Sequence, residues 1–83
     1  MDEKMKVMVV DDSSFMRLAL SNIINSDDNL LVVATAINGD DAIKKIPIVK
    51  PDVITLDVIM PKMNGLETLK YIMKHFPTPV VMI

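Results

Sequence analysis

Three aspartates stand where apolar runs end. Val7-Met8-Val9-Val10 is followed at once by Asp11 and Asp12, and Val53-Ile54-Thr55-Leu56 by Asp57. A short apolar run between turn signals suits a strand covered on both faces. Each carboxylate therefore falls at the end of a buried strand, where an unpaired charge is costly. Brought together, the three would repel one another, and a cation among them is the simplest resolution. All-oxygen, acid-rich ligation favours Mg²⁺, Mn²⁺ or a similar hard ion, which keeps some waters and accepts phosphate oxygens.

Bringing the acids together is the task of the elements around them. Lys6 to Val10 reads as a first strand. Ser13 or Ser14 can cap a helix running to about Ile24, with Met16, Ala19, Leu20, Ile23 and Ile24 on a core stripe and Phe15 and Leu18 off it. Asn25 to Asn29 is a turn, and Leu30 to Ala34 a second strand. Asn38 caps a second helix, with Asp40 and Asp41 near its positive end and Ala42, Ile43 and Ile46 facing the core. Pro47 lacks a donor and clashes with the carbonyl four residues back, so this helix is expected to end or kink near Ile46. The third strand is bounded by Pro51 and by the turn Pro61-Lys62-Met63-Asn64-Gly65. Leu66 to Phe76 forms a third helix, with Leu66, Leu69, Ile72, Met73 and Phe76 on one stripe. Pro77 closes it, and Pro79 to Ile83 begins a fourth strand.

Strands alternating with helices imply an α/β fold with a parallel sheet and right-handed crossovers. In the order 2-1-3-4, the first helix covers one face and the other two helices cover the opposite face. Strands one and three then form the topological switch point, where ligands bind beyond the carboxyl ends. Asp11, Asp12 and Asp57 all fall there.

Composition narrows the function classes. The 83 residues allow one domain, 1–83, with a marginal core. An apolar share of 51% and a mean hydropathy of +0.37 are high for so short a chain, and imply a face meant to be covered by something beyond these residues. Net charge is −2 and the nine basic residues are scattered, which argues against nucleic acid. The absence of cysteine removes disulfides, thiolate metal sites and cysteine nucleophiles. No apolar run reaches the length of a membrane span, and the charged start is no signal peptide, so a cytoplasmic location is expected. His75 reads as dipole compensation at a helix end, and the eight methionines as core filling. A nucleotide-binding loop would need G-x-G-x-x-G or G-K-[ST] after the first strand, where Asp11-Asp12-Ser13-Ser14 stands. An aspartate-nucleophile phosphatase would want a second acid at position 59, which is Ile59.

The acidic pair after strand one, joined to Leu56-Asp57-x-x-Met60-Pro61-x-Met63-Asn64-Gly65 after strand three, resembles the receiver domain of two-component response regulators. The resemblance covers the chain as far as the fourth strand. Val10-Asp11-Asp12-Ser13-Ser14-Phe15-Met16-Arg17, Ala36-Ile37-Asn38-Gly39 and Thr78-Pro79-Val80-Val81-Met82-Ile83 are further similar to the receivers of chemotaxis protein-glutamate methylesterases. It implies a three-layer, flavodoxin-like fold in which Asp57 accepts a phosphoryl group from a sensor histidine kinase or phosphotransfer domain. It also implies Mg²⁺ (or Mn²⁺) held by Asp57, by Asp12 directly, by Asp11 through water and by the backbone carbonyl of Ile59. Phe15 and Leu18 would dock the kinase or phosphotransfer partner, or pack under a last helix. A C-terminal effector domain is expected in the parent protein.

Two departures from the family pattern bear on behaviour. Position 59 is often acidic or amide-bearing in the family, and Ile59 cannot orient a hydrolytic water, so slow loss of the phosphoryl group is expected. Family receivers also continue with a hydroxyl residue, a helix, a fifth strand ending in a lysine, and a last helix. These 83 residues thus read as a truncated receiver lacking the fifth strand and last two helices. An open fourth strand invites self-association. The competing reading is a degenerate receiver that only mediates protein contacts, for which no Mg²⁺ binding is expected.

Overall fold

A computed structural model describes residues 3–60 and 63–83. The elements alternate: β1 (Met5–Val10), α1 (Ser14–Asn25), β2 (Leu30–Ala36), α2 (Gly39–Val49), β3 (Val53–Leu56), α3 (Gly65–His75) and β4 (Val80–Met82). The strands form one parallel sheet in the expected order, β2-β1-β3-β4. Pro61 and Lys62, expected in the turn after β3, lie outside the described residues.

Alternation along the strands divides the sheet's two faces. Met8, Val10, Ile54 and Leu56 point to one side and pack with Ala36, Ala42, Ile46, Met60 and Ile72, so α2 and α3 close this face. Ile54, Leu56 and Ile72 are fully buried, and burial of each such side chain stabilises the fold by about 1.5–3 kcal/mol. Val7 and Val9 point the other way and are also buried. On that face α1 packs across β1 and β2.

Two helical stripes differ in part from their expected positions. In α1, Met16 and Ile23 are exposed, while Ala19, Leu20 and Ile24 are half-buried as expected, together with Arg17 and Ser21. In α3, Leu66 and Met73 are exposed, while Gly65, Thr68 and Ile72 are buried. The reason is tight approach: small groups at Gly65 and Thr68 let the helix lie close to its neighbours, a preference that apolar periodicity does not report.

Pro47 does not end α2, which runs on to Val49. A proline in the last turn forfeits one amide near a terminus where few bonds remain to be made. The helix closes instead at Lys50, whose left-handed backbone (φ 49°) lets its amide reach the Ile46 carbonyl at 2.8 Å. The other helices start on side-chain caps, Ser13 accepting from the Met16 amide and Asn64 from that of Glu67, as Asn38 does from Asp41 in α2. β2 runs two residues past its expected end, to Ala36, and α3 begins and ends one residue earlier than expected.

Candidate metal and phosphoacceptor site

β1 and β3 run side by side in register, Val10 against Leu56, so the next residues leave the sheet at one edge. The ladder extends past both strands. The Asp57 amide donates to the Val10 carbonyl at 3.0 Å, and the Asp11 amide to the Ala36 carbonyl at 3.0 Å. Main-chain bonds thus place two of the acids before any side-chain chemistry enters.

Asp11, Asp12 and Asp57 each present a carboxylate oxygen, all within 4.8 Å of one another. Asp11 is buried, Asp57 half-buried and Asp12 exposed. Unit charges at about 4 Å repel by about 1 kcal/mol in bulk water, and by about 4 kcal/mol at an effective dielectric of 20. Part of the charge is answered locally: Asp11 Oδ1 accepts from the Ser13 amide at 2.9 Å and Asp57 Oδ1 from the Ile59 amide at 3.1 Å. Among the described residues, Asp57 Oδ2 accepts no hydrogen bond and remains available to a ligand or an electrophile. The donor set is all carboxylate oxygen with no nitrogen or sulfur, which fits Mg²⁺ or Mn²⁺ and open positions for water or phosphate oxygens.

The loops beside the acids are pinned. After β2, Lys45 Nζ donates to the Thr35 carbonyl at 2.6 Å and to Asp41 Oδ2 at 3.1 Å, and the Ile37 amide donates to the same carboxylate oxygen at 3.0 Å. Burial pushes the Asp41 carboxyl up, but the Ile37 amide and the charges of Lys45 and Lys44 outweigh it and hold it below the usual value. After β3, the Gly65 amide donates to the Val58 carbonyl at 2.8 Å. Gly65 has no left-handed backbone and is needed for closeness: a Cβ there would overlap the Asp57 carbonyl oxygen and lie 2.6 Å from Val58 Cα. Gly65 thus serves the turn into α3 by allowing close approach, not by a left-handed backbone. Gly39 makes a similar approach to Thr68, where a Cβ would overlap the threonine hydroxyl.

Of the remaining residues singled out by sequence, Ile59 is 82% exposed beside Asp57, and Phe15 and Leu18 are exposed on α1. Sequence reasoning assigned no role to Arg17, whose Nη1 donates to the Asp11 carbonyl at 2.8 Å. Its position one turn into a helix that starts beside the acids was the available signal.

A doubly wound parallel sheet with three acids at its switch point is the arrangement of a receiver domain. The chain belongs to the response regulator receiver domain family, whose description matches residues 7–83. Among its relatives, the protein-glutamate methylesterase/protein-glutamine glutaminase of Pyrococcus horikoshii is 55% identical over 83 residues, covering 100% of this chain and 23% of that protein. That of Halalkalibacterium halodurans is 51% identical over 83 residues, again covering 100% of this chain, and 24% of the relative. The chain thus spans about a quarter of the length of these relatives. The crystal structure of the response regulator domain of Thermotoga maritima CheB superposes with a TM-score of 0.93 at 50% identity, covering 96% of this chain and 60% of that one. The CheX-CheY-BeF3-Mg²⁺ complex from Borrelia burgdorferi matches with a TM-score of 0.88 at 34% identity, covering 96% of this chain and 61% of that one. No helix among the described residues is long and apolar enough to cross a membrane.

Proposed function

We propose that this chain is the phosphoacceptor unit of a chemotaxis response regulator, with Asp57 receiving a phosphoryl group from a phosphohistidine on a sensor histidine kinase or phosphotransfer domain. A carboxylate oxygen of Asp57 forms the new bond to phosphorus as the phosphorus–nitrogen bond breaks. The electron pair of that bond stays on the departing imidazole, which takes up a proton from water, leaving an aspartyl phosphate. Asp57 Oδ2 suits the attack because Oδ1 is already held by the Ile59 amide. Asp11, Asp12 and Asp57, with the Ile59 carbonyl, would hold Mg²⁺ or Mn²⁺, which supplies positive charge to the transferring oxygens. Asp11 is steadied by the Ser13 amide, and the chain's own part is largely positioning.

The observation that carries this reading is the convergence of three carboxylates within 4.8 Å at the ends of β1 and β3. The Mg²⁺ and BeF3 in the complex of the related Borrelia burgdorferi protein support a site of this kind. Exposed Phe15 and Leu18, beside the acids at the start of α1, are the proposed docking contacts for the kinase or phosphotransfer partner. By its similarity to the methylesterase/glutaminase relatives, the parent protein would carry a C-terminal effector with that activity, under control of Asp57 phosphorylation.

Intact mass after incubation with acetyl phosphate, with and without Mg²⁺ and beside Asp57→Asn, tests the proposal. A Mg²⁺-dependent gain of one phosphoryl group that the variant loses is the expected result. No gain from a folded sample overturns it and leaves a protein-contact module.

A further inference from the structure

The three clustered acids have a cationic neighbour that binds none of them. The Arg17 guanidinium is half-buried, and among the described residues it forms no ion pair. It donates through Nη1 to the main-chain carbonyl of Asp11 at 2.8 Å. That carbonyl belongs to the peptide joining Asp11 to Asp12. Fixing its direction fixes the plane of that peptide, and with it the angle between the two side chains that follow from it.

The rest of the loop is arranged to the same end. The Asp11 amide is held by the Ala36 carbonyl at 3.0 Å and its Oδ1 by the Ser13 amide at 2.9 Å. Arg17 is itself placed by the helix start, since its amide donates to the Ser13 carbonyl at 2.9 Å. Without the guanidinium, the Asp11–Asp12 peptide would keep its anchors upstream and lose the one on its own oxygen. Repulsion among the three carboxylates would then be free to turn Asp12 outward, towards solvent.

We infer that Arg17 is a positioning residue for the cation site, orienting the Asp11–Asp12 peptide so that both carboxylates face the same point as Asp57. The inference rests on the proposed divalent site. It carries a sign that separates it from simple electrostatics. A nearby positive charge by itself disfavours a bound cation, so removing it should tighten binding. Removing an orienting partner should weaken binding, and lost outer-shell partners of metal ligands typically cost about tenfold or more in affinity.

The test is calorimetric titration of the metal-free chain with MgCl₂, comparing wild type, Arg17→Met and Arg17→Lys. Met fills similar space with no donor and no charge, whereas Lys keeps both. Affinity should fall about tenfold in Arg17→Met and recover in Arg17→Lys, with the metal-free melting temperature of the Met variant near that of wild type. The Ser13 amide should exchange its proton faster in metal-free Arg17→Met. Equal or tighter Mg²⁺ binding by Arg17→Met overturns the inference while leaving the site intact. Absence of binding by folded wild type overturns the site itself, and the inference with it. Should the Met variant not fold, Arg17→Gln replaces it: binding weaker than that of Arg17→Lys is expected, and binding as tight as wild type is the overturning result.

Discussion

The amide of Asp57 donates to the carbonyl of Val10 at 3.0 Å, continuing the β1–β3 ladder one residue beyond the strands. The separation between Asp57 and the Asp11–Asp12 pair is therefore set by strand spacing, which is nearly invariant in sheets. Side chains at this edge can change without moving that frame.

Asp12→Asn removes one of three mutually repelling charges. Asp12 is exposed, and among the described residues its side chain accepts no hydrogen bond, so little is lost in exchange. The metal-free protein should become more stable by up to about 1 kcal/mol, the repulsion of one close pair in water. The rise in melting temperature on adding Mg²⁺ should disappear in the same variant. Thermal melts with and without Mg²⁺ read both effects, and an unchanged Mg²⁺ response would remove Asp12 from the ligand set.

Gly65→Ala forces a methyl group into the Asp57 carbonyl and the Val58 backbone. Main chain cannot swing aside as a side-chain tip can, so a loss of about 2 kcal/mol or more in urea denaturation is expected. Because the displaced atoms include the Asp57 carbonyl, phosphoryl uptake should fall along with stability. Gly39→Ala meets chiefly the Thr68 side chain and should impair stability with little direct effect on Asp57.

The depressed carboxyl of Asp41 has a pH signature. Its folded-state pKa lies below its unfolded value, so its contribution to stability is full above about pH 4 and is lost as pH falls through the folded pKa. Asp41→Asn should lower stability at neutral pH and flatten the decline in acid. Denaturation curves between about pH 2 and pH 6 compare the slopes; parallel curves for variant and wild type would show that Lys45 and the Ile37 amide do not favour the ionised form.

Ile59→Asn places an amide where an 82% exposed aliphatic side chain now stands beside Asp57. An amide can orient a water towards the phosphorylated carboxylate, and isoleucine cannot. The phosphorylated form of the variant should decay several-fold faster than wild type when followed by intact mass after removal of acetyl phosphate. An equal or longer lifetime would show that water access is limited elsewhere.

Much of this protein is legible in the linear sequence because its signals are local. Apolar runs between turn residues mark β1 and β3, and Ser13 and Asn38 mark helix starts. A carboxylate at the end of a buried strand is conspicuous because burial of an unpartnered charge is costly. Alternation and crossover handedness limit the strand order without fixing it; the order 2-1-3-4, which the receiver resemblance implies, sends Asp11, Asp12 and Asp57 to one edge.

The core face of α2 was legible in Ala42, Ile43 and Ile46, but only the tertiary structure decided the limits of the buried stripes of α1 and α3, because these depend on how closely helices can approach. Met16, Ile23, Leu66 and Met73 are apolar and correctly spaced, yet they are exposed, while Gly65 and Thr68 sit inside. It likewise decided the role of Arg17: periodicity cannot show that a side chain reaches back six residues to a main-chain oxygen. Pairwise approach across elements has no counterpart in one-dimensional pattern, and that is where sequence and fold part.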